Sequence, residues 1–139
     1  MKKRYLDANI FIYPVLYESE DLKYYERLFL DIINKKILGI TSLLTWDELV
    51  HSIWKKRGRY TAIIEGKKFL NMPNLIFIGA NMNIINKAQE LIKKYNIKPR
   101  DAIHVATALL NNINEIISDD KDFDKIKEIK RIRPEDFLI

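Results

Sequence analysis

At 139 residues, 47% hydrophobic and 31% charged, the chain has the length and apolar content of one folded domain, so residues 1–139 are read as a single unit. The absence of cysteine excludes a disulfide framework and any thiolate metal site, and no apolar run reaches the roughly 18 residues of a membrane span. A net charge of +5, from 24 basic and 19 acidic side chains, favours a polyanionic partner such as RNA or DNA over an acidic one.

The amino terminus passes from Met1 to Arg4 straight into structure with no signal-peptide pattern, as expected of a soluble cytoplasmic protein without a membrane anchor. Tyr5 and Leu6 form a short apolar strand that stops on Asp7, and Ile10 to Leu16 continue as a helix. This puts Asp7 at the carboxyl end of a strand, where open α/β sheets build their sites. Asp7 and Asn9 are also residue types that cap helices. Leu22, Tyr25, Leu28, Phe29, Ile32 and Ile33 recur at helical spacing and describe an amphipathic helix, followed by a short strand at Gly39 to Thr41. From Leu43 to about Lys55 the pattern is helical again, with Leu43, Trp46, Val50 and Trp54 on its apolar side. The basic turn Lys55 to Arg59 ends it, and a further helix runs from about Tyr60 to Leu70.

Pro73 and Asn74 introduce a strand at Leu75 to Ile78, and Asn83 is the expected cap of the helix carried by Ile84, Ala88, Leu91 and Tyr95. The apolar residues between Pro99 and Leu110 wrap most of a helix, which should therefore be buried on most sides, with Asp101 in its first turn. Ile116 and Ile117 form a fourth strand that ends on Ser118, Asp119 and Asp120. Phe123 to Ile129 reads as a last short helix before Arg131 and Ile132, with Pro134 to Ile139 closing the sheet edge. Strands alternating with helices imply parallel pairing through crossovers. The expected fold is α/β, a three-layer α/β/α sandwich on a short-stranded, mainly parallel sheet.

Four acids stand at ends of elements that this topology brings together: Asp7, Glu48, Asp101 and Asp120. Carboxylates in a chain with only two histidines favour hard cations such as Mg²⁺ or Mn²⁺, whose chemistry suits phosphodiester hydrolysis. Each acid also has a plainer role. Glu48 could be a solvated helix charge, Asp101 could complement a helix dipole, and Asp119, Asp120 and Asp122 are turn formers. An almost wholly apolar helix that opens on an acid beside three others is costly unless a positive charge sits there.

The segments Tyr5-Leu6-Asp7-Ala8-Asn9, Ser42 to Leu49, Arg100 to Ala108 and Ser118-Asp119-Asp120-Lys121-Asp122-Phe123 together resemble the PIN-domain ribonucleases, and the small VapC-type toxins among them most closely. The resemblance covers essentially the whole chain. It implies a PIN-like nuclease domain in which Asp7, Glu48, Asp101 and Asp120 bind one or two divalent ions. Ser118 and Asn9 would be polar support and Asp122 a further acid. It further implies an RNA substrate, a cognate antitoxin and a homodimer. A stand-alone RNA-processing nuclease and a catalytically weak RNA-binding or dimerising module are the alternatives within this fold.

A haloacid-dehalogenase-like phosphatase would need an acid where Asn9 stands, since an amide cannot protonate a leaving group. A receiver domain would need an acid where the third strand ends in Ile78, Gly79 and Ala80. His104 and His51 each lie three residues beyond an acid, yet an oxygen site has no need of imidazole, so packing or hydrogen bonding is the expected use. Tyr13, Tyr17, Tyr24, Tyr25, Trp46 and Trp54 could stack on bases but are expected mainly in packing. Lys55, Lys56, Arg57 and Arg59 are the better candidates for phosphate contacts.

Overall fold

The computed structural model describes residues 2–137. Five strands, β1 (Lys3–Leu6), β2 (Leu38–Ser42), β3 (Ile76–Ile78), β4 (Glu115–Ile117) and β5 (Lys130–Ile132), form one sheet in the order β3-β2-β1-β4-β5. Every pairing is parallel. Six helices cover it: α1 (Asn9–Leu16), α2 (Leu22–Ile33), α3 (Leu44–Arg57), α4 (Arg59–Leu70), α5 (Met82–Lys94) and α6 (Pro99–Leu110).

Alternation along the strands separates the two faces of the sheet. Tyr5 and Ile116 point to one side and pack with Ile84, Ala88 and Leu91 of α5 and Val105 of α6. Their neighbours Leu6 and Ile117 point to the other, against Ile10, Phe11, Leu28, Ile32, Leu49 and Ile53 of α1, α2 and α3. Two apolar cores on either side of a central sheet make the expected three layers. At Gly39 in β2 the α2 helix comes so close that a Cβ would stand 2.9 Å from Ile32 Cδ1, which accounts for glycine inside a strand.

Four expectations change. Helix α3 buries Thr45, Leu49 and Ile53, whereas Leu43, Trp46 and Trp54 are exposed. Both stripes have helical spacing. The tryptophan stripe instead borders α4, where the missing side chain of Gly66 admits Val50 and Trp46. The cap of α5 is Asn81 rather than Asn83, its side-chain oxygen accepting the Ile84 N–H at 3.0 Å. Phe123 to Ile129 is no helix but a 3₁₀ turn at Lys121–Lys125 that leads into β5. It is β5 that forms the sheet edge, and Pro134–Asp136 is a further 3₁₀ turn, while residues 138–139 lie outside the described residues. Among the described residues no helix is long and apolar enough to cross a membrane.

Candidate functional site

The strand order creates a switch point. From β1 the chain builds outward through β2 to β3, then crosses back to place β4 and β5 on the other flank. Between β1 and β4, at their carboxyl ends, the connections depart in opposite directions and leave a crevice. Asp7 and Ser118 stand at the two lips of that crevice.

Asp7 is buried, 5% exposed, and both of its oxygens are engaged. Oδ1 accepts the Ala8 N–H at 2.7 Å and Oδ2 accepts the Ser118 hydroxyl at 2.7 Å. Neither contact is a cap on the interior amides of α1, whose start has no side-chain cap. The Ser118 hydroxyl oxygen also accepts the Asp120 N–H at 3.0 Å and Asn9 Nδ2 at 3.3 Å, so Ser118 links Asn9, Asp7 and the start of the Asp120 turn.

Asp101, Asp120 and Asp122 converge more tightly, each offering an oxygen within 4.8 Å of the others. Asp101 reaches this point because Pro99 opens α6 and leaves it in the first turn. Asp120 and Asp122 are presented by the 3₁₀ turn, where Asp120 Oδ1 accepts the Asp122 N–H at 2.9 Å. Glu48, one turn into α3, lines the same cleft of about 490 Å³, with Lys98 and Arg100 on its rim. Asp119 is exposed and outside the group. Asp122, assigned only as a further acid in the sequence, is thus a full member, and Asp7 adjoins the group from the strand beneath.

The electrostatics describe a site short of positive charge. Asp101 is pushed up to about 6, first by burial and then by the Asp7 and Asp120 carboxylates. Burial likewise raises Asp7, although His104 and Ser118 pull the other way. His104 is fully buried. Burial works against its charged form, but the hydrogen bond to Glu48 and the charges of Asp7, Glu48 and Asp101 outweigh it and raise its pKa. Its Nε2 lies 2.5 Å from Glu48 Oε1 and its Nδ1 2.6 Å from Tyr5 Oη. No spacing in the sequence announces this arrangement, because the three residues are far apart in the chain. His51 is exposed on α3 and is not part of the group.

The residues fit a hard divalent cation. The donors are all carboxylate oxygens, and Asn9, whose Nδ2 bonds Ser118, has a buried Oδ1 with no hydrogen-bond partner among the described residues. A parallel α/β/α domain with a carboxylate cluster at its switch point has the makings of a metal-dependent phosphodiesterase.

The profile of the PIN domain family matches residues 4–129, and the chain belongs to that family. Two curated relatives come from Methanocaldococcus jannaschii. Ribonuclease VapC6 is 32% identical over 89 residues, 60% of this chain and 58% of its own length, and Ribonuclease VapC2 is 28% identical over 136 residues, 89% of each chain. The chain therefore spans 58% of the first of these relatives. Among solved structures, VapBC2 from Rickettsia felis, bound to a DNA fragment from its promoter, superposes with a TM-score of 0.74 at 17% identity, covering 94% of this chain and 98% of the other. Mycobacterium tuberculosis VapC20, a toxin that cleaves the sarcin-ricin loop, gives 0.69 at 13% identity over 87% and 92% of the two chains. At these identities the structural likeness speaks for the fold.

Proposed function

We propose that this protein is a divalent-metal-dependent endoribonuclease that cuts single-stranded or loop RNA, and the toxin of a toxin-antitoxin pair. The observation that carries the proposal is the convergence of Asp101, Asp120 and Asp122 within 4.8 Å, with Asp7 and Glu48 adjoining, at the sheet's switch point. The PIN family and the two VapC ribonuclease relatives support the same reading.

Asp101, Asp120 and Asp122 would hold the cation, Mg²⁺ or Mn²⁺, with Asp7 and Glu48 completing the set. When bound, such an ion lowers the pKa of water and offsets charge at the phosphate. The chain's own residues do the rest. Ser118 and the Ala8 N–H orient Asp7, while Glu48 is steadied on one oxygen by His104 and either completes the donor set or takes the proton of the attacking water. Lys98 and Arg100 stand at the cleft mouth, where phosphates would arrive.

A basic track supports RNA over a small phosphomonoester. Lys55 follows Glu48 by two turns on the same side of α3, about 10 Å along the axis. It opens the basic segment Lys55, Lys56, Arg57, Gly58, Arg59, which is the last turn of α3 and the start of α4 rather than a loop and whose four cations make no ion pair among the described residues. Beside it Lys56 Nζ donates to Tyr17 Oη at 2.6 Å and lies over that ring. Single strands fit this geometry better than a duplex, whose A-form shape hides its base edges.

An antitoxin would be received away from the tryptophans. Phe11, Pro14, Val15, Phe29, Phe69 and Met72 line an apolar groove of about 490 Å³ between α1, α2 and α4, suited to one face of a partner helix. Exposed Trp46, Trp54, Ile63 and Leu70 offer a separate surface for the homodimer. The deciding experiment incubates purified protein with single-stranded RNA in Mn²⁺ and in EDTA, with a phosphomonoester in parallel. Internal RNA cleavage that needs the ion, without phosphomonoester turnover, is expected. Turnover of the monoester alone would overturn the proposal. Co-expression with a small protein encoded beside it should yield a complex with suppressed cleavage. A protein that is harmless in cells and recovers no partner would instead be an RNA-processing nuclease.

A further inference from the structure

His104 joins three elements through its two ring nitrogens. Nε2 meets Glu48 Oε1 of α3 at 2.5 Å, and Nδ1 meets Tyr5 Oη of β1 at 2.6 Å. The phenol oxygen in turn accepts the backbone N–H of Ser42, at the end of β2, at 3.1 Å. A carboxylate oxygen accepts, so the proton between Nε2 and Glu48 is carried by Nε2; in the neutral ring Nδ1 then accepts the phenol O–H, while the phenol oxygen accepts the Ser42 amide. With this tautomer each donor in the series Ser42, Tyr5, His104 has an acceptor, ending on Glu48.

The surroundings make the arrangement stiff. Tyr5 and His104 are both fully buried, the ring packing edge-on against the phenol at 5.7 Å, with Val105, Ile116 and Ile40 in the same core. A satisfied polar chain in a dry core resists rearrangement, since any alternative leaves a partner unpaired. Glu48 is the opposite kind of group, a long side chain, 18% exposed at the cleft, with many rotamers to lose. The imidazole therefore transmits the rigidity of β1 to an acid that α3 alone would leave loose. Nε2 also stands 3.7 Å from Asp7 Oδ1, so the same ring edge faces the gap between the two acids.

We infer that His104 is a positioning residue: backed by Tyr5, it fixes the Glu48 carboxylate in the acid cleft at a set distance from Asp7, and so presets the donor geometry for the cation. This rests on the reading of the acids as cation ligands. A packing role alone would require only a ring-sized apolar group at this place.

The test measures Mn²⁺ affinity by titration calorimetry, and kcat and KM for RNA, in wild type, His104→Leu, His104→Gln and Tyr5→Phe, with folding checked by circular dichroism. His104→Leu should bind Mn²⁺ about 10–100-fold more weakly, the usual cost of losing a group that orients a ligand. His104→Gln, whose amide nitrogen can stand in for Nε2, should recover most of that loss. Tyr5→Phe should fall between wild type and His104→Leu. KM for RNA should stay unchanged while kcat falls. Wild-type Mn²⁺ affinity in His104→Leu, or a His104→Gln variant as weak as His104→Leu, would overturn the inference. Should His104→Leu fail to fold, Tyr5→Phe and His104→Gln decide, and wild-type affinity and kcat in Tyr5→Phe would overturn it. A wild-type protein that binds no Mn²⁺ would take down the ligand reading as well, whereas equal binding by every variant removes only the role of His104.

Discussion

The Ser118 hydroxyl donates to Asp7 Oδ2 at 2.7 Å and accepts the Asp120 N–H at 3.0 Å, so one small side chain holds two acids of the cleft in register. Ser118→Ala would leave a buried carboxylate oxygen and a backbone amide without their partner. A loss of about 1–3 kcal/mol is expected. Urea unfolding would read it as a lower midpoint at constant slope, and an unchanged midpoint would show that water replaces the hydroxyl without cost.

Asp7→Asn and Asp101→Asn keep the shape of each side chain and remove its charge. Each should reduce RNA cleavage by about a hundredfold or more, the scale on which removal of one preorganised stabilising group acts. His104→Leu, acting through another residue, should leave far more. Full cleavage by either Asp variant, in an initial-rate assay with Mn²⁺, would remove these acids from the reaction.

Asp101 gives the stability a pH signature. Its carboxyl is pushed up to about 6 in the fold, from about 3.9 in an unfolded chain. Between those values the native state keeps a proton that the unfolded chain has released. The contribution is therefore complete below about pH 4 and is lost as pH rises through about 6. Metal-free protein should lose this increment over that window, and Asp101→Asn should flatten the profile.

Mn²⁺ should act in the opposite sense, because it binds the ionised acids of the folded state only. At a free concentration about 100 times its dissociation constant it should add roughly 2.7 kcal/mol. The rise in Tm should be several degrees at pH 7.5 and smaller at pH 5, where protons compete for Asp101. Thermal melts with EDTA and with Mn²⁺ at both values test this, and equal shifts would mean that Asp101 is not a ligand.

The basic residues at the junction of α3 and α4 would set the salt dependence of RNA binding. Exchanging Lys55, Lys56 and Arg59 for glutamine should weaken binding and make it less sensitive to salt, by about one unit of log-log slope for each phosphate that is no longer neutralised. Filter binding from 50 to 200 mM salt would resolve the change. A slope equal to wild type would place the RNA elsewhere.

Much of this molecule is legible in its sequence, and the limits have physical causes. Residues Ile84, Ala88 and Leu91 mark α5 because one face of it alone is buried, and Asp7 and Asp101 stand out because each interrupts an apolar element at its end. In α3 two apolar stripes compete, and only the presence of α4 decides which one faces the core. Strand β5 carries Lys130 and Arg131 and has no alternation to reveal it; it exists because β4 offers an edge to pair with. Asp122 resembles a turn former as much as Asp119 does, and only its place in the 3₁₀ turn brings it to Asp101, while Asp119, ahead of that turn, is exposed. The bonds among Tyr5, His104 and Glu48 join residues 99 and 56 positions apart, beyond the reach of any local pattern.

The place of β1 at the centre of the sheet has a consequence for biosynthesis. Its acid meets the serine that orients it only after 111 further residues. Until β4 is available, β1 is an edge strand with an unpaired side, and the 3₁₀ turn bearing Asp120 and Asp122 does not yet exist. A chain stopped before Asp122 thus cannot carry the complete set of acids, and closing so distant a pairing is among the slower steps of folding. For the RNA cleavage proposed above this order is protective: the full set of acids comes together only once the segment through Asp122 has been made.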